Sequence, residues 1–146
     1  MSTRSGIAVA HGDKIKAIYC HSDGYIEYNG VVLFNNYDSV KANALIAQGD
    51  CSFLGKEIGS KIDFDNRATY DADGYAVQCR FYGRDRGETG TEYAVYHSEQ
   101  EFVDGIDGEY FYLFKNGAWY VSQGHEFRLL KDRIQEVLVD RLAEAE

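Results

Sequence analysis

Phe81-Tyr82-Gly83-Arg84-Asp85-Arg86-Gly87-Glu88-Thr89-Gly90 is the stretch around which the rest of the chain is arranged. On both sides of it, in residues 75–82 and 91–97, apolar and polar residues alternate, and this period of two is typical of paired β-strands. The stretch itself carries four charged residues and three glycines. We therefore predict a β-hairpin whose tip presents these charges.

Turn residues between alternating segments predict two further hairpins. Asn116-Gly117 separates residues 109–115 from residues 118–122, and Asn-Gly in this setting favours a two-residue hairpin turn. Residues 6–10 and 14–20 flank His11-Gly12-Asp13, where Gly and Asp supply the positive φ of a tight turn. Both segments are expected to form antiparallel strand pairs.

Capping residues predict where helices begin and end. Asp38 can cap a helix that stops at Gly49, and Ser98 with Glu101 forms a capping box for a short helix ending near Gly105. Another short helix is expected in residues 26–34, before the Asn35-Asn36 pair. From Lys131 onward a C-terminal helix is expected, with its apolar residues on one face: Ile134, Val137, Leu138 and Leu142.

Residues 50–68 lack a clear period, and we predict a packed loop there that carries apolar side chains into the core: Phe53, Leu54, Ile58, Ile62 and Phe64. The chain thus contains three hairpins and about four helices without regular strand-helix-strand alternation. We expect one α+β domain over residues 1–146. It has a mostly antiparallel β-sheet built from hairpins, short helices on one face and a C-terminal helix.

Composition restricts the function classes. The net charge of −9 disfavours binding to DNA or RNA, because phosphate backbones attract Lys and Arg. The same charge is compatible with docking on a basic surface of another protein, or simply with solubility. No signal peptide and no run of about 18 apolar residues occurs, so neither secretion nor membrane insertion is expected.

The cysteines and histidines do not predict a metal site. Cys20, Cys51 and Cys79 are odd in number and widely spaced, as expected for buried free thiols in a reducing cytosol. Cys20 and His21 are adjacent and would point to opposite faces of a strand, and neither Cys-x-x-Cys nor His-x-x-x-His spacing occurs. No cofactor is expected either.

The tip of the predicted central hairpin is the first candidate ligand site. Arg84 and Arg86 each offer a planar fork of donors suited to phosphate or carboxylate, and Asp85 with Glu88 could hold those forks in place. Tyr82 and other aromatic residues could stack on a base, although cross-strand core packing is the more common role of such residues. Residue types alone fit a solvated turn with internally paired charges equally well.

A second polar cluster is expected where the ends of the first hairpin meet. Arg4 and Ser5 lie at the start of the first strand, while His21 and Asp23 follow the second, and antiparallel pairing brings those ends together. Tyr25, which ends the same turn segment, is a further candidate ligand-binding residue. The cluster could form a pocket or an ordinary turn. If the protein is an enzyme acting on a nucleotide, His21 or Asp23 is the candidate general base.

Several motifs together resemble a family of small tailed-bacteriophage proteins, over nearly the whole chain up to about residue 122. They are Ser2-Thr3-Arg4-Ser5, Tyr19-Cys20-His21-Ser22-Asp23-Gly24-Tyr25, residues 48–55, Phe64-Asp65-Asn66, residues 81–88 and Tyr112-Leu113-Phe114. The resemblance implies a non-structural product that acts in the cytoplasm of an infected bacterium. Small phage proteins of this kind often counter host immunity.

The resemblance leads to two main functional expectations. In the first, the protein is an oligomeric sponge that sequesters a cyclic nucleotide or a cyclic ADP-ribose-type signal through Arg84 and Arg86. In the second, it is an acidic inhibitor that binds a bacterial defence protein or another host protein directly. We favour the sponge over the inhibitor, and both over catalysis.

Overall fold

The structure of the protein is a computed structural model that describes residues 2–61 and 78–145, and it is organised around one eight-stranded sheet. The strands are β1 (Ser5–His11), β2 (Lys14–Cys20), β3 (Cys51–Phe53), β4 (Arg80–Phe81), β5 (Ala94–Tyr96), β6 (Tyr110–Lys115), β7 (Ala118–Ser122) and β8 (Arg128–Leu129). Their order in the sheet is β4-β3-β2-β1-β6-β7-β8, and β5 pairs with the part of β2 that does not pair with β3.

Two of the predicted hairpins are confirmed. β1 and β2 pair antiparallel from Ser5↔Cys20 to His11↔Lys14, and Gly12 in the turn has a φ of +61°. β6 and β7 pair antiparallel around Asn116 and Gly117, whose φ values of 51° and 79° are those of a tight hairpin turn. These turns form as expected because their geometry depends on the turn residues themselves.

The α+β class is also confirmed, and two strand pairs in the sheet are parallel. β1 pairs in parallel with β6, and β2 pairs in parallel with β3 through Cys20 and Cys51. The central strand β1 is buried from Ser5 to Val9, which explains its continuous run of small and apolar residues. This mixed pairing brings residues that are distant in sequence to the same end of the sheet.

Helices connect the strands. A π-helical turn (Ile26–Gly30) leads into α1 (Val31–Asn36), followed by α2 (Ser39–Ala47), α3 (Tyr82–Arg86), α4 (Glu99–Gly105) and the C-terminal α5 (Leu130–Ala145). The predicted caps are present, since Asp38 accepts from the Lys41 amide at 2.9 Å and Ser98 accepts from the Glu101 amide at 3.1 Å.

Apolar side chains cover both faces of the sheet. The larger core includes Ile18, Leu33, Leu45, Tyr112 and Trp119 and lies under α1, α2 and α5. On the opposite face, Phe102 of α4 packs with Phe111 and Leu113 in a smaller core. α4 therefore lies on the other side of the sheet from α1, α2 and α5, so the expectation that the short helices share one face is wrong for α4.

The C-terminal helix follows its predicted pattern only in part. Leu130 is fully buried, and Ile134 and Val137 pack against the larger core. Leu138 was expected on this face but is half exposed. Leu142 lies beyond the residues whose side chains are described.

The predicted central hairpin is wrong. β4 pairs with β3, and β5 pairs with β2, so the strands on the two sides of residues 82–93 do not pair with each other. Between them the chain forms the single helical turn α3, which ends at Gly87 with a φ of 70°. Alternation indicates a strand but carries no information about its partner. Residues 75–77 of the predicted first strand lie outside the described residues.

The predicted loop at residues 50–68 is partly wrong, because it begins with β3. Its packing is as expected at Leu54, which is buried, and at Ile58, which packs against the larger core. Ile62 and Phe64 lie outside the described residues. In the described part of the chain, no helix is long and apolar enough to cross a membrane.

Candidate functional site

Arg84 is anchored inside the fold. Its Nε donates to Oδ1 of Asp85 at 2.9 Å, and its Nη2 donates to Oδ2 of the same carboxylate at 3.1 Å. The other three bonds go to backbone carbonyls, with Nη1 donating to Ile58 and Gly59 at 2.9 and 3.2 Å and Nη2 donating to Cys79 at 3.0 Å. A guanidinium has five N–H donors, so these bonds use its whole capacity.

Asp85 completes this anchor. Its side chain is fully buried, and it also accepts a hydrogen bond from the Phe81 amide at 2.7 Å. The Arg84–Asp85 pair thus connects α3, the end of β4 and the backbone of residues 58–59. Sequence analysis predicted a ligand-binding role for both residues, and the structure gives them a structural role instead.

Arg86 and Tyr82 remain on the surface of the same helical turn. The guanidinium carbon of Arg86 lies 5.3 Å from the centre of the Tyr82 ring, and Nη1 is 3.9 Å from Glu88. About half of the Arg86 and Glu88 side chains is exposed. An exposed ion pair of this length is worth little, so a ligand anion can replace the carboxylate at small cost.

The second predicted cluster forms at the end of the first hairpin. Nδ1 of His21 lies 2.8 Å from the hydroxyl oxygen of Tyr19, and the Arg4 guanidinium lies beside the same hydroxyl. Arg4 also pairs with the highly exposed Asp107 at 3.0 Å. The Gly24 amide donates to the Thr3 carbonyl at 2.9 Å, which confirms that the two chain ends meet here.

Asp23 and Tyr25 are placed differently from the rest of this cluster. Asp23 adopts a left-handed φ of 58° in the turn, and its carbonyl accepts from the Asn29 amide at 3.1 Å. The Tyr25 ring contacts the rings of Tyr28 and Tyr110, at centroid distances of 6.0 and 6.2 Å. Asp23 therefore stabilises the turn through its backbone, and Tyr25 belongs to a separate aromatic cluster.

Strand pairing brings the two groups together. Cys20 of β2 is opposite Cys51 of β3, which is opposite Phe81 of β4, and all three side chains point into the core. Residues next to them on each strand point to the outer face, because side chains alternate along a strand. Tyr19 and His21 therefore lie on the outer face at this end of the sheet, and Tyr82, the first residue of α3, lies close enough to Tyr19 for the two hydroxyls to interact electrostatically.

We call Arg4, Tyr19, His21, Tyr82 and Arg86 the basic-aromatic face. Burial raises the pKa of the Tyr82 hydroxyl, and nearby Tyr19 adds to this rise while Arg86 opposes it. Burial likewise raises the pKa of the Tyr19 hydroxyl, and Arg4 opposes that rise. Both phenols are therefore neutral at physiological pH and can donate hydrogen bonds.

Sequence analysis missed Tyr19. The sequence predicts it in the second strand of the first hairpin without a role in the site, and the structure leaves it half-buried. The burial of Cys20 was the available signal, because it requires Tyr19 and His21 to share the opposite, outward face.

A groove of about 670 Å³ lies elsewhere, beside the β6–β7 turn. Its walls include Phe34, Tyr37, Phe114, Trp119 and Leu129. Phe34 and Leu129 are 44% and 40% exposed, so apolar surface is open to solvent there. Sequence analysis did not predict this groove, because its walls come from three segments that are distant in sequence, residues 34–39, 114–119 and 129–131.

Comparisons with protein-family models, with curated proteins and with solved structures found no match to this chain. Within residues 2–61 and 78–145, no group of three or more His, Cys, Asp or Glu side chains could hold a metal ion. The geometry of the described residues is therefore the basis for the functional proposal.

Proposed function

We propose that this chain is a phage-encoded anti-defence protein that binds and sequesters a nucleotide-derived immune signal. The observation that carries the proposal is the basic-aromatic face, where Arg4 and Arg86 lie on the same surface as His21 and two tyrosines. The sequence resemblance to small phage proteins supports the biological setting, the cytoplasm of an infected bacterium.

The two arginines suit the phosphates of such a signal. Each now faces an exposed carboxylate, Asp107 for Arg4 and Glu88 for Arg86, and exposed pairs contribute at most about 1 kcal/mol. A phosphate, like a carboxylate, can accept two parallel charge-assisted hydrogen bonds from a guanidinium, and it offers a third oxygen besides. A ligand phosphate can therefore compete with Asp107 for Arg4 and with Glu88 for Arg86.

The tyrosines suit the base. The Tyr82 ring lies beneath the Arg86 guanidinium, and stacking of a base on an aromatic side chain is worth about 1–3 kcal/mol. The net charge of −9 opposes long nucleic acids but acts weakly on a small ligand held by local donors. A sponge needs only stoichiometric binding, and a homo-oligomer would present several such faces.

Isothermal titration calorimetry with cyclic nucleotides and cyclic ADP-ribose isomers tests this proposal. We expect one ligand class to bind, and we expect R86A and R4A each to weaken binding about 10- to 100-fold through loss of charge-assisted hydrogen bonds. Arg128 is a matched control. It lies on β8, at the far edge of the sheet, is equally exposed, and pairs with the carboxylate of Glu136. R128A should bind normally.

Two results would contradict the sponge. Absence of binding across the panel at high micromolar concentration removes its physical basis. Recovery of cleaved ligand by mass spectrometry indicates turnover instead, with His21 as the candidate general base.

The apolar groove favours a second candidate function, direct inhibition of a host protein. A partner with a basic surface is attracted by the net charge of −9, and one of its apolar side chains can enter between Phe34 and Leu129. For such a partner, we expect capture by tagged protein to fall with rising salt and to be lost in F34S. Val40 is 79% exposed and does not line the groove, so V40S should retain capture. Equal capture by both variants would exclude the groove.

A further inference from the structure

Cys20 and Cys51 form a pair of opposed thiols directly beneath the basic-aromatic face. They are register partners in the parallel strands β2 and β3, and both are fully buried. Neighbouring strands lie about 4.7–4.9 Å apart. A disulfide spans Cα atoms about 4.4–6.8 Å apart, so the backbone already has the required spacing.

We propose that Cys20 and Cys51 are a modification site at which hydrogen peroxide oxidises the two thiols to a reversible disulfide. The Cys20 sulfur attacks one peroxide oxygen, and the O–O bond breaks. The departing hydroxide takes up the thiol proton and leaves as water, and Cys20 becomes a sulfenic acid. The Cys51 sulfur then attacks the Cys20 sulfur, the S–O bond breaks, and a second water leaves. Two thiols are oxidised by two electrons in total, and hydrogen peroxide is reduced to two waters.

The surroundings favour Cys20 as the attacking thiol. The Asn29 side-chain amide donates towards its sulfur at 3.6 Å, which stabilises a thiolate. The neighbouring Cys51 thiol lowers the pKa of Cys20 by hydrogen bonding, against the effect of burial. The same hydrogen bond raises the pKa of Cys51, so Cys51 holds its proton more firmly than Cys20 does.

Cys79 has a different environment. Its sulfur accepts from the Gly55 amide at 3.3 Å and lies 3.3 Å from the Tyr37 hydroxyl. Burial raises the pKa of the Cys79 thiol. We therefore expect Cys79 to remain a thiol under conditions that oxidise the pair.

Mass spectrometry can identify the disulfide directly. The three cysteines fall on different tryptic peptides, residues 17–41, 42–56 and 68–80, so each pairing gives a distinct linked mass. After treatment of the folded protein with hydrogen peroxide, we expect the 17–41/42–56 link to predominate. Blocking of free thiols in denaturant should then label one of the three cysteines, Cys79.

Thermal unfolding provides an independent readout. A disulfide from residue 20 to residue 51 restricts the unfolded chain and should raise the melting temperature by about 10 °C, reversibly with dithiothreitol. C79A keeps the pair and should show the same peroxide-dependent rise. C20A and C51A should show none.

Three results would overturn the inference: no linked peptide, a predominant link to Cys79, or irreversible oxidation of single cysteines. The mass measurement uses the unaltered protein, so it stands even if a variant does not fold. It also involves no nucleotide, so its outcome is independent of the proposed sponge.

Discussion

Replacing Arg84 by alanine is expected to lower the free energy of unfolding by about 3–5 kcal/mol. The substitution leaves the fully buried carboxylate of Asp85 without its guanidinium partner. It also removes the donors for the carbonyls of residues 58, 59 and 79. Breaking one side of a buried pair is costly because the remaining charge has lost both water and its partner.

Urea denaturation of the variant and of two companions measures this effect. R84K keeps the charge but has a single terminal nitrogen that cannot reach all five acceptors, so an intermediate loss is expected. R86A removes a half-exposed arginine from the same helical turn and should lower stability much less than R84A does.

The two arginines should therefore have opposite effects in the binding assay and in the stability assay. Arg86 should matter for ligand affinity and little for stability, whereas Arg84 should matter for stability. If R84A unfolds at the same urea concentration as the wild type, the anchor described for Arg84 is incorrect.

Raising the pH from 8 to 11 is expected to lower the free energy of unfolding by at least about 3 kcal/mol. Burial raises the pKa values of Tyr37 and Tyr112 well above the usual value near 10. The unfolded chain releases these protons above pH 10, and the folded protein retains them. The stabilising contribution is thus complete below pH 10 and decreases as the pH rises, by about 1.4 kcal/mol per pH unit for each tyrosine.

Both hydroxyls also have fixed partners that require the proton. Tyr37 donates to the Gly55 carbonyl at 2.7 Å, and Tyr112 donates to the Gly24 carbonyl at 2.6 Å. The raised pKa values of the Cys51 and Cys79 thiols act in the same direction, and the lowered pKa of the Cys20 thiol acts against it. The four groups with raised pKa values therefore oppose alkaline conditions in the folded state.

Urea denaturation at pH 8 and pH 11, at constant ionic strength, tests this dependence. Y37F is the control, because it lacks one ionising hydroxyl. Its stability is expected to fall by about 1.4 kcal/mol less than that of the wild type over the same pH range. Equal stability of the wild type at both pH values would contradict the prediction.

Local signals in the sequence predicted much of the fold. The Asn116-Gly117 and Gly12 turns and the caps at Asp38 and Ser98 all formed where expected. Each depends on a few adjacent residues, so the sequence contains the complete information for it. The partners of β4 and β5 were mispredicted, because a strand's alternation is the same whichever neighbour it pairs with.

The candidate site divides along the same line. The sequence alone determined that arginines and aromatic residues occur near the first hairpin and at residues 82–86, and that the class is α+β. Only the tertiary structure decided that the donors of Arg84 are all hydrogen-bonded within the fold. It also decided that Arg86 shares a surface with Arg4, Tyr19 and His21. The physical reason is that both outcomes depend on contacts between segments distant in sequence. Arg84 bonds to carbonyls of residues 58, 59 and 79, and β3 pairs between β2 and β4.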